Sequence, residues 1–187
     1  MSYYLDTDII VAYLFKSDKR NKLVAQWLYD KICEGRNFYV SPLVLTELYN
    51  VICRKIMGGD FKLAPEPIAL VLNRLKPEEY CRAVIPLIIK YLENNLRVKV
   101  RDPVDLYQIV KSEELGINVI KLYAKATELV NITGLPSKDL FHLIYALRLA
   151  ETSGVKYFAT LDTDHFEGKQ RVLRELGLEL EIPRFGE

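Results

Sequence analysis

Two kinds of hydrophobic pattern alternate along the chain and predict its secondary structure. Short runs that are continuously apolar or alternate with polar residues predict strands at 2–5, 38–40, 96–100, 155–161 and 178–182. Apolar residues three and four positions apart predict helices at about 9–14, 20–34, 42–57, 66–75, 78–95, 104–115, 117–132, 138–153 and 169–176. Strands that alternate with helices are typical of an α/β domain with a mostly parallel sheet.

The segment at about 58–95 separates two parts of this alternation and is predicted to be a helical insertion. Its two helical runs are interrupted by prolines at 65, 67, 77 and 86, and we expect a kink or break at Pro86. The remaining pattern fits a domain of ordinary size. We therefore predict a single domain over residues 1–187 with this insertion.

Composition excludes several classes of protein. Half of the residues are apolar and 27% are charged, as in ordinary globular domains. The three cysteines lack metal-binding spacing, no signal peptide is evident, and no apolar run reaches the roughly 20 residues of a membrane span. We expect a cytoplasmic protein with reduced thiols and no membrane association.

The charge distribution gives little direct indication of a partner. The net charge of +1 lacks the basic excess that is common in nucleic-acid-binding proteins. Two local clusters could contact a phosphate backbone, although such residues more often form a solvated surface. These clusters are Lys16, Lys19, Arg20 and Lys22, and Arg97, Lys99 and Arg101.

Four acidic residues occupy positions where a carboxylate is unusual. Asp6 and Asp162 each follow an apolar strand, Asp139 lies in the first turn of an apolar helix, and Glu47 lies inside another helix among apolar neighbours. Ligand sites of parallel sheets form beyond the carboxyl ends of the strands. Structural explanations remain open: Asp139 can favour the helix dipole, Glu47 can be solvated, and Asp162 can cap a turn.

Convergence of these acids would create a cation site. Mutual repulsion between carboxylates raises their pKa values and destabilises the site, and a divalent ion removes that penalty. Ligands that are all oxygen favour Mg²⁺ or Mn²⁺ over zinc. Carboxylate-bound ions of this kind activate water for attack on a phosphodiester.

Four segments in order resemble the PIN-domain family, and most closely the VapC-type toxin ribonucleases. They are Leu5–Ile10 (LDTDII), Ser41–Leu48 (SPLVLTEL), Ser137–Ala146 (SKDLFHLIYA) and Phe158–Phe166 (FATLDTDHF). The resemblance implies a three-layer α/β/α sandwich that cuts single-stranded RNA with Mg²⁺ or Mn²⁺. The chain departs from the compact toxins by the segment at 58–95.

The resemblance also implies roles for individual residues and partners. Asp6, Glu47, Asp139 and Asp162 correspond to the catalytic metal ligands, Asp164 to an auxiliary ligand, and Thr160 to a hydroxyl beside the site. Family members commonly form homodimers, and an antitoxin protein holds the toxins inactive. For the two histidines, His142 and His165, we favour structural roles over acid–base chemistry.

Three functions follow from these patterns. The first is a metal-dependent endoribonuclease, acting as the toxin of a toxin–antitoxin pair, in which water attack leaves a 3′-hydroxyl and a 5′-phosphate. The second is a non-catalytic RNA-binding or scaffolding protein with a PIN-like fold. The third is a structure-specific DNA nuclease that uses the same acids.

Overall fold

The structure is a computed structural model that describes residues 1–59, 63, 65–72 and 74–184. Parts of the predicted insertion, at 60–62, 64 and 73, therefore lie outside the described residues. In the described chain the strands are β1 Ser2–Leu5, β2 Asn37–Val40, β3 Val98–Val100, β4 Ile109–Lys111, β5 Asn118–Ile120, β6 Val155–Ala159 and β7 Glu179–Glu181. The α-helices are α1 Thr7–Leu14, α2 Asn21–Cys33, α3 Pro42–Met57, α4 Glu66–Leu72, α5 Pro77–Leu96, α6 Lys121–Thr133, α7 Ser137–Ser153, α8 Thr163–Phe166 and α9 Gln170–Glu175.

The central sheet contains five strands in the order β3-β2-β1-β6-β7, and every neighbouring pair is parallel. All four residues of β1 are buried, because helices cover the sheet on both faces. Tyr4 of β1 lies in register with Tyr39 of β2 and Phe158 of β6. These residues form the middle of the core, and the predicted three-layer α/β/α architecture is confirmed.

The segment between β3 and α6 differs from the prediction of a helix at 104–115. A short 3-10 helix spans Val104–Tyr107, and β4 and β5 then form an antiparallel hairpin. The sequence in β4 and β5 is rich in β-branched residues, which favour strands. Gly116, with φ of +68°, provides the left-handed residue in the connection. The following helix consequently begins at Lys121 and not at 117.

The described part of the predicted insertion contributes to the core of the sheet domain. Helix α5 continues through Pro86, so the predicted break is absent. Val84, Ile88 and Leu92 of this helix are buried in the same hydrophobic cluster as β1 and α3. No helix among the described residues has the length and apolar character needed to cross a membrane.

Candidate active site

The centre of the sheet creates a crevice at the carboxyl ends of β1 and β6. The chain proceeds from β1 through β2 to β3 on one side, whereas β6 and β7 lie on the other side. Such a switch point is where open α/β sheets bind ligands. A cavity of about 200 Å³ lies here, and its lining includes the acids Asp6, Asp8, Asp139 and Asp162 and the cations Arg20 and Lys138.

Asp6 is positioned by the junction between β1 and α1. It is the N-cap of α1, and its Oδ1 accepts a hydrogen bond from the Thr7 backbone N–H at 2.6 Å. Its Oδ2 accepts from Thr160 Oγ1 at 2.9 Å, so the predicted place of Thr160 beside the site agrees with the structure. The side chain is buried, as the sequence pattern indicated.

Asp8 lines the cavity although it was not among the predicted site residues. Its Oδ2 accepts hydrogen bonds from the Leu161 N–H at 2.9 Å and from Thr160 Oγ1 at 3.2 Å. Burial, together with the charge of Asp6, raises the pKa of Asp8 to about 7. Its Oδ1 is buried and has no hydrogen-bond partner among the described residues. Its position in the first turn of α1 is common for an acidic residue, so the sequence carries no signal that distinguishes it.

Glu47 extends from α3 and is surrounded by donors. Lys138 Nζ lies 3.1 Å from its Oε1, and His142 Nε2 lies 3.0 Å from its Oε2, which also accepts from the Thr7 hydroxyl. Burial opposes ionisation of Glu47, but the interactions with these three donors outweigh burial and lower its pKa to about 2. Glu47 is therefore a carboxylate at neutral pH.

Asp139 and Asp162 meet at the other side of the cavity through His165. His165 Nδ1 lies 2.8 Å from Asp162 Oδ2, to which it is hydrogen-bonded, and 2.9 Å from Asp139 Oδ2. Asp139 Oδ2 is left buried without a hydrogen bond to any described residue. Burial raises the pKa of Asp139, and the charges of Asp6 and Asp162 act in the same direction, against His165.

The four predicted acids are gathered into two adjacent groups. Atoms of Asp6, Glu47 and His142 lie within 4.8 Å of one another, as do atoms of Asp139, Asp162 and His165. Asp164 is exposed in the first turn of α8 and belongs to neither group of described residues. Its role as an auxiliary ligand stays a prediction.

The donor set suits a hard divalent ion. Asp8 Oδ1 is buried without a hydrogen bond to any described residue, whereas Asp139 Oδ2 has only the ion pair with His165. A buried carboxylate oxygen without a partner is costly unless another group compensates it. Carboxylate oxygens are the ligands that Mg²⁺ and Mn²⁺ prefer, so the residues present fit such an ion.

The comparisons with known proteins agree with this fold. The chain resembles the solved structure of VapBC2 from Rickettsia felis bound to a DNA fragment from their promoter, with a TM-score of 0.51 and 18% identity. The similarity covers 97% of this chain and 98% of that chain, and it concerns the fold. No curated protein matches the chain.

The sequence also matches the model of the PIN domain over residues 3–123. This match includes Asp6, Asp8 and Glu47, whereas Asp139 and Asp162 lie beyond it and are brought to the site by the fold. PIN domains are generally nucleases. The predicted family is confirmed, and the chain belongs to the PIN-domain family.

Proposed function

We propose that this protein is a metal-dependent endoribonuclease that cleaves single-stranded RNA and acts as the toxin of a toxin–antitoxin pair. The observation that carries the proposal is the convergence of Asp6, Asp8, Asp139 and Asp162 on one cavity at the sheet's switch point. Structural ion pairs do not account for this arrangement, because Asp8 Oδ1 is buried without a hydrogen bond to any described residue. Perturbed carboxylates in a cleft are typical of functional sites.

Asp6, Glu47, Asp139 and Asp162 would hold the ion, and Asp8 adds a fifth carboxylate beside them. A bound Mg²⁺ or Mn²⁺ supplies a water of lowered pKa and neutralises charge on the phosphoryl group. The protein's own contribution is to fix the carboxylates by hydrogen bonds, such as those of Asp6 with Thr7 and Thr160. Attack by water on the phosphodiester would leave a 3′-hydroxyl and a 5′-phosphate.

Arg20 is the residue best placed to contact the RNA backbone. It lines the cavity, and its guanidinium is held by Asp18 through hydrogen bonds of 3.0 and 3.1 Å. This pairing fixes the orientation of the guanidinium, while its planar fork retains further donors for a phosphate. A cation beside an acidic cavity can therefore attract the polyanion that the carboxylates alone would repel.

The toxin role is supported by the fold and by an exposed apolar surface. The solved structure that resembles this chain is a VapBC complex, and we infer a corresponding antitoxin partner here. Ile109 and Ile120 lie opposite each other on the β4–β5 hairpin and are 75% and 36% exposed. Exposed apolar groups at such a site are typical of protein–protein contacts, so an antitoxin or a second copy in a homodimer could cover them.

Cleavage of a short unstructured RNA, beside a DNA of the same sequence, tests the proposal. We expect cleavage of the RNA with Mg²⁺ or Mn²⁺ and none with EDTA. Asp6→Asn should abolish cleavage without unfolding the protein, whereas Asp30→Asn, at an exposed position outside the cavity, serves as a matched control. Cleavage that survives EDTA or the Asp6 substitution would refute the mechanism. Preferential DNA cleavage would favour the DNA nuclease, and binding without cleavage would favour the scaffolding alternative.

A further inference from the structure

A chain of buried hydrogen bonds leads from the core to Glu47. Ser41 Oγ lies 2.8 Å from the Tyr4 hydroxyl, and this hydroxyl lies 2.9 Å from His142 Nδ1. The other ring nitrogen, Nε2, lies 3.0 Å from Glu47 Oε2. Ser41 and Tyr4 are 0% exposed and His142 is 1% exposed, so the chain crosses the interior between β1, α3 and α7.

The chemistry of this series of hydrogen bonds determines which ring nitrogen of His142 donates a hydrogen bond to Glu47. Glu47 is a carboxylate and can only accept hydrogen bonds, so Nε2 must carry a proton. This holds for both the neutral and the charged ring, because the Tyr4 hydroxyl can either donate to Nδ1 or accept from it. Ser41 completes the chain in both cases, since its hydroxyl can also donate or accept.

The contact of Ser41 is independent evidence that this series of hydrogen bonds is a specific feature of the structure. The sequence predicts that this serine caps α3, and the structure places it at the N-cap position. Among the described residues, however, its side chain makes no capping hydrogen bond, and its hydroxyl contacts Tyr4 instead. A serine cap contributes about 1 kcal/mol to a helix, so the alternative contact replaces a favourable interaction.

We propose that His142, held in place by Tyr4 and Ser41, is a positioning residue that directs the Glu47 carboxylate toward Asp6 at the metal site. His142 Nε2 lies 3.5 Å from Asp6 Oδ1, so the imidazole stands between the two carboxylates. Lys138 restrains the other oxygen of Glu47 from the solvent side. This inference rests on the proposed function, because it assigns a role in holding the ion of that site.

We expect Mn²⁺ binding to depend on the N–H that His142 donates to Glu47 and not on the volume of its ring. Glutamine at position 142 can place an amide N–H near the position of Nε2, whereas leucine fills similar space without a donor. Loss of a hydrogen bond that orients a metal ligand typically weakens metal affinity about 10–100-fold. His142→Leu should therefore weaken Mn²⁺ binding by about this factor, and His142→Gln should stay within about threefold of the wild type.

Mn²⁺ titration of the protein alone, followed by electron paramagnetic resonance, measures this without reference to RNA cleavage. Circular dichroism establishes that each variant is folded. Tyr4→Phe is a second variant that removes only the hydroxyl and keeps the ring stacked on Phe158, with 5.6 Å between ring centroids. It should weaken Mn²⁺ binding less than His142→Leu does, because Nε2 of His142 remains and only the hydrogen bond between the Tyr4 hydroxyl and Nδ1 is lost.

Two results would overturn the positioning role of His142. One is unchanged Mn²⁺ affinity in folded His142→Leu, and the other is an equal loss in the leucine and glutamine variants. If the wild type itself binds no Mn²⁺, the proposed function fails and a separate measurement decides the inference. The ¹³C chemical shift of the Glu47 carboxylate should then move in His142→Leu but not in His142→Gln, and a shift unmoved in both variants would reject the contact.

Discussion

Replacement of Asp139 with asparagine should change the stability of the metal-free and metal-bound protein in opposite directions. Asp139 is 8% exposed, and one of its oxygens lacks a hydrogen bond within the described chain. It lies in one group with Asp162, with the ligand atoms within 4.8 Å. Burial is the largest of the influences that raise the pKa of Asp139, and the charges of Asp6 and Asp162 add to it against the opposing charge of His165. A carboxyl group whose pKa is raised on folding destabilises the folded protein above that pKa, so Asp139→Asn should raise the free energy of unfolding of the metal-free protein at pH 8 by about 1 kcal/mol.

The metal-bound state should show the opposite effect. An ion at about 100 times its dissociation constant stabilises a folded protein by about 2.7 kcal/mol. For a chain of 187 residues, this corresponds to a rise in Tm of roughly 5–10 °C. The Asp139→Asn variant loses a ligand, so most of this rise should disappear. Thermal unfolding followed by circular dichroism, in EDTA and in Mn²⁺, measures both effects.

Asp30→Asn is the matched control, because it removes the same charge from an exposed residue of α2 that does not line the cavity. This variant should unfold like the wild type in EDTA and keep the full rise in Mn²⁺. An Asp139→Asn variant that retains the full rise would refute the assignment of Asp139 as a ligand. Equal behaviour of the two variants would show that net charge, and not the site, governs stability.

Three further outcomes concern residues that are not proposed as metal ligands. Glu181→Ala should lower the free energy of unfolding by about 2–4 kcal/mol in urea, because Tyr3 and Trp27 lose a shared acceptor at 2.9 and 2.7 Å; Glu181→Gln, which keeps one acceptor, should cost less. The Arg20 guanidinium lowers the pKa of Asp18, so the stability from this pair is present above the unfolded pKa and is lost as pH falls through the folded pKa. Between about pH 5 and 2, the free energy of unfolding in urea should therefore fall more for the wild type than for Asp18→Asn. An equal fall in both proteins would contradict the role of this pair. Arg20→Ala should raise KM for RNA about tenfold with little change in kcat, an effect that high salt should reduce.

Strand β1 could be predicted because Tyr3–Leu5 is an uninterrupted apolar run, and all four residues of the strand are buried. Strands β3 and β7 contain Lys99 and two glutamates, and the alternation of apolar and polar residues predicted them instead. The same reasoning failed at 104–115, where apolar spacing also suits a helix and the structure has a hairpin. There the two strands stabilise each other through contacts between residues about ten positions apart, as with Ile109 and Ile120. The hydrophobic pattern within one segment does not indicate which other segment pairs with it.

Some acids of the site could likewise be predicted from the sequence, and others could not. Asp6 and Asp162 could be identified because a charge directly after a buried strand is unusual in sequence. Asp8 was missed because a polar residue in the first turn of a helix is ordinary, and only the approach of Leu161 and Thr160 distinguishes it. Asp164, two residues after Asp162, has the same type of position, but the structure leaves it exposed.

The sequence by itself determined the class of fold, the sites where strands end in acids, and the family to which the chain belongs. These properties depend on local composition and on short motifs, which can be recognised without knowing how the chain packs. Only the tertiary structure decided that His142 faces Glu47, 95 positions away in the chain, and that Ser41 bonds to Tyr4 instead of capping its helix. The physical reason is that a buried donor and acceptor must find partners in three dimensions, and the chain satisfies them with whichever residues the packing of the sheet brings within reach.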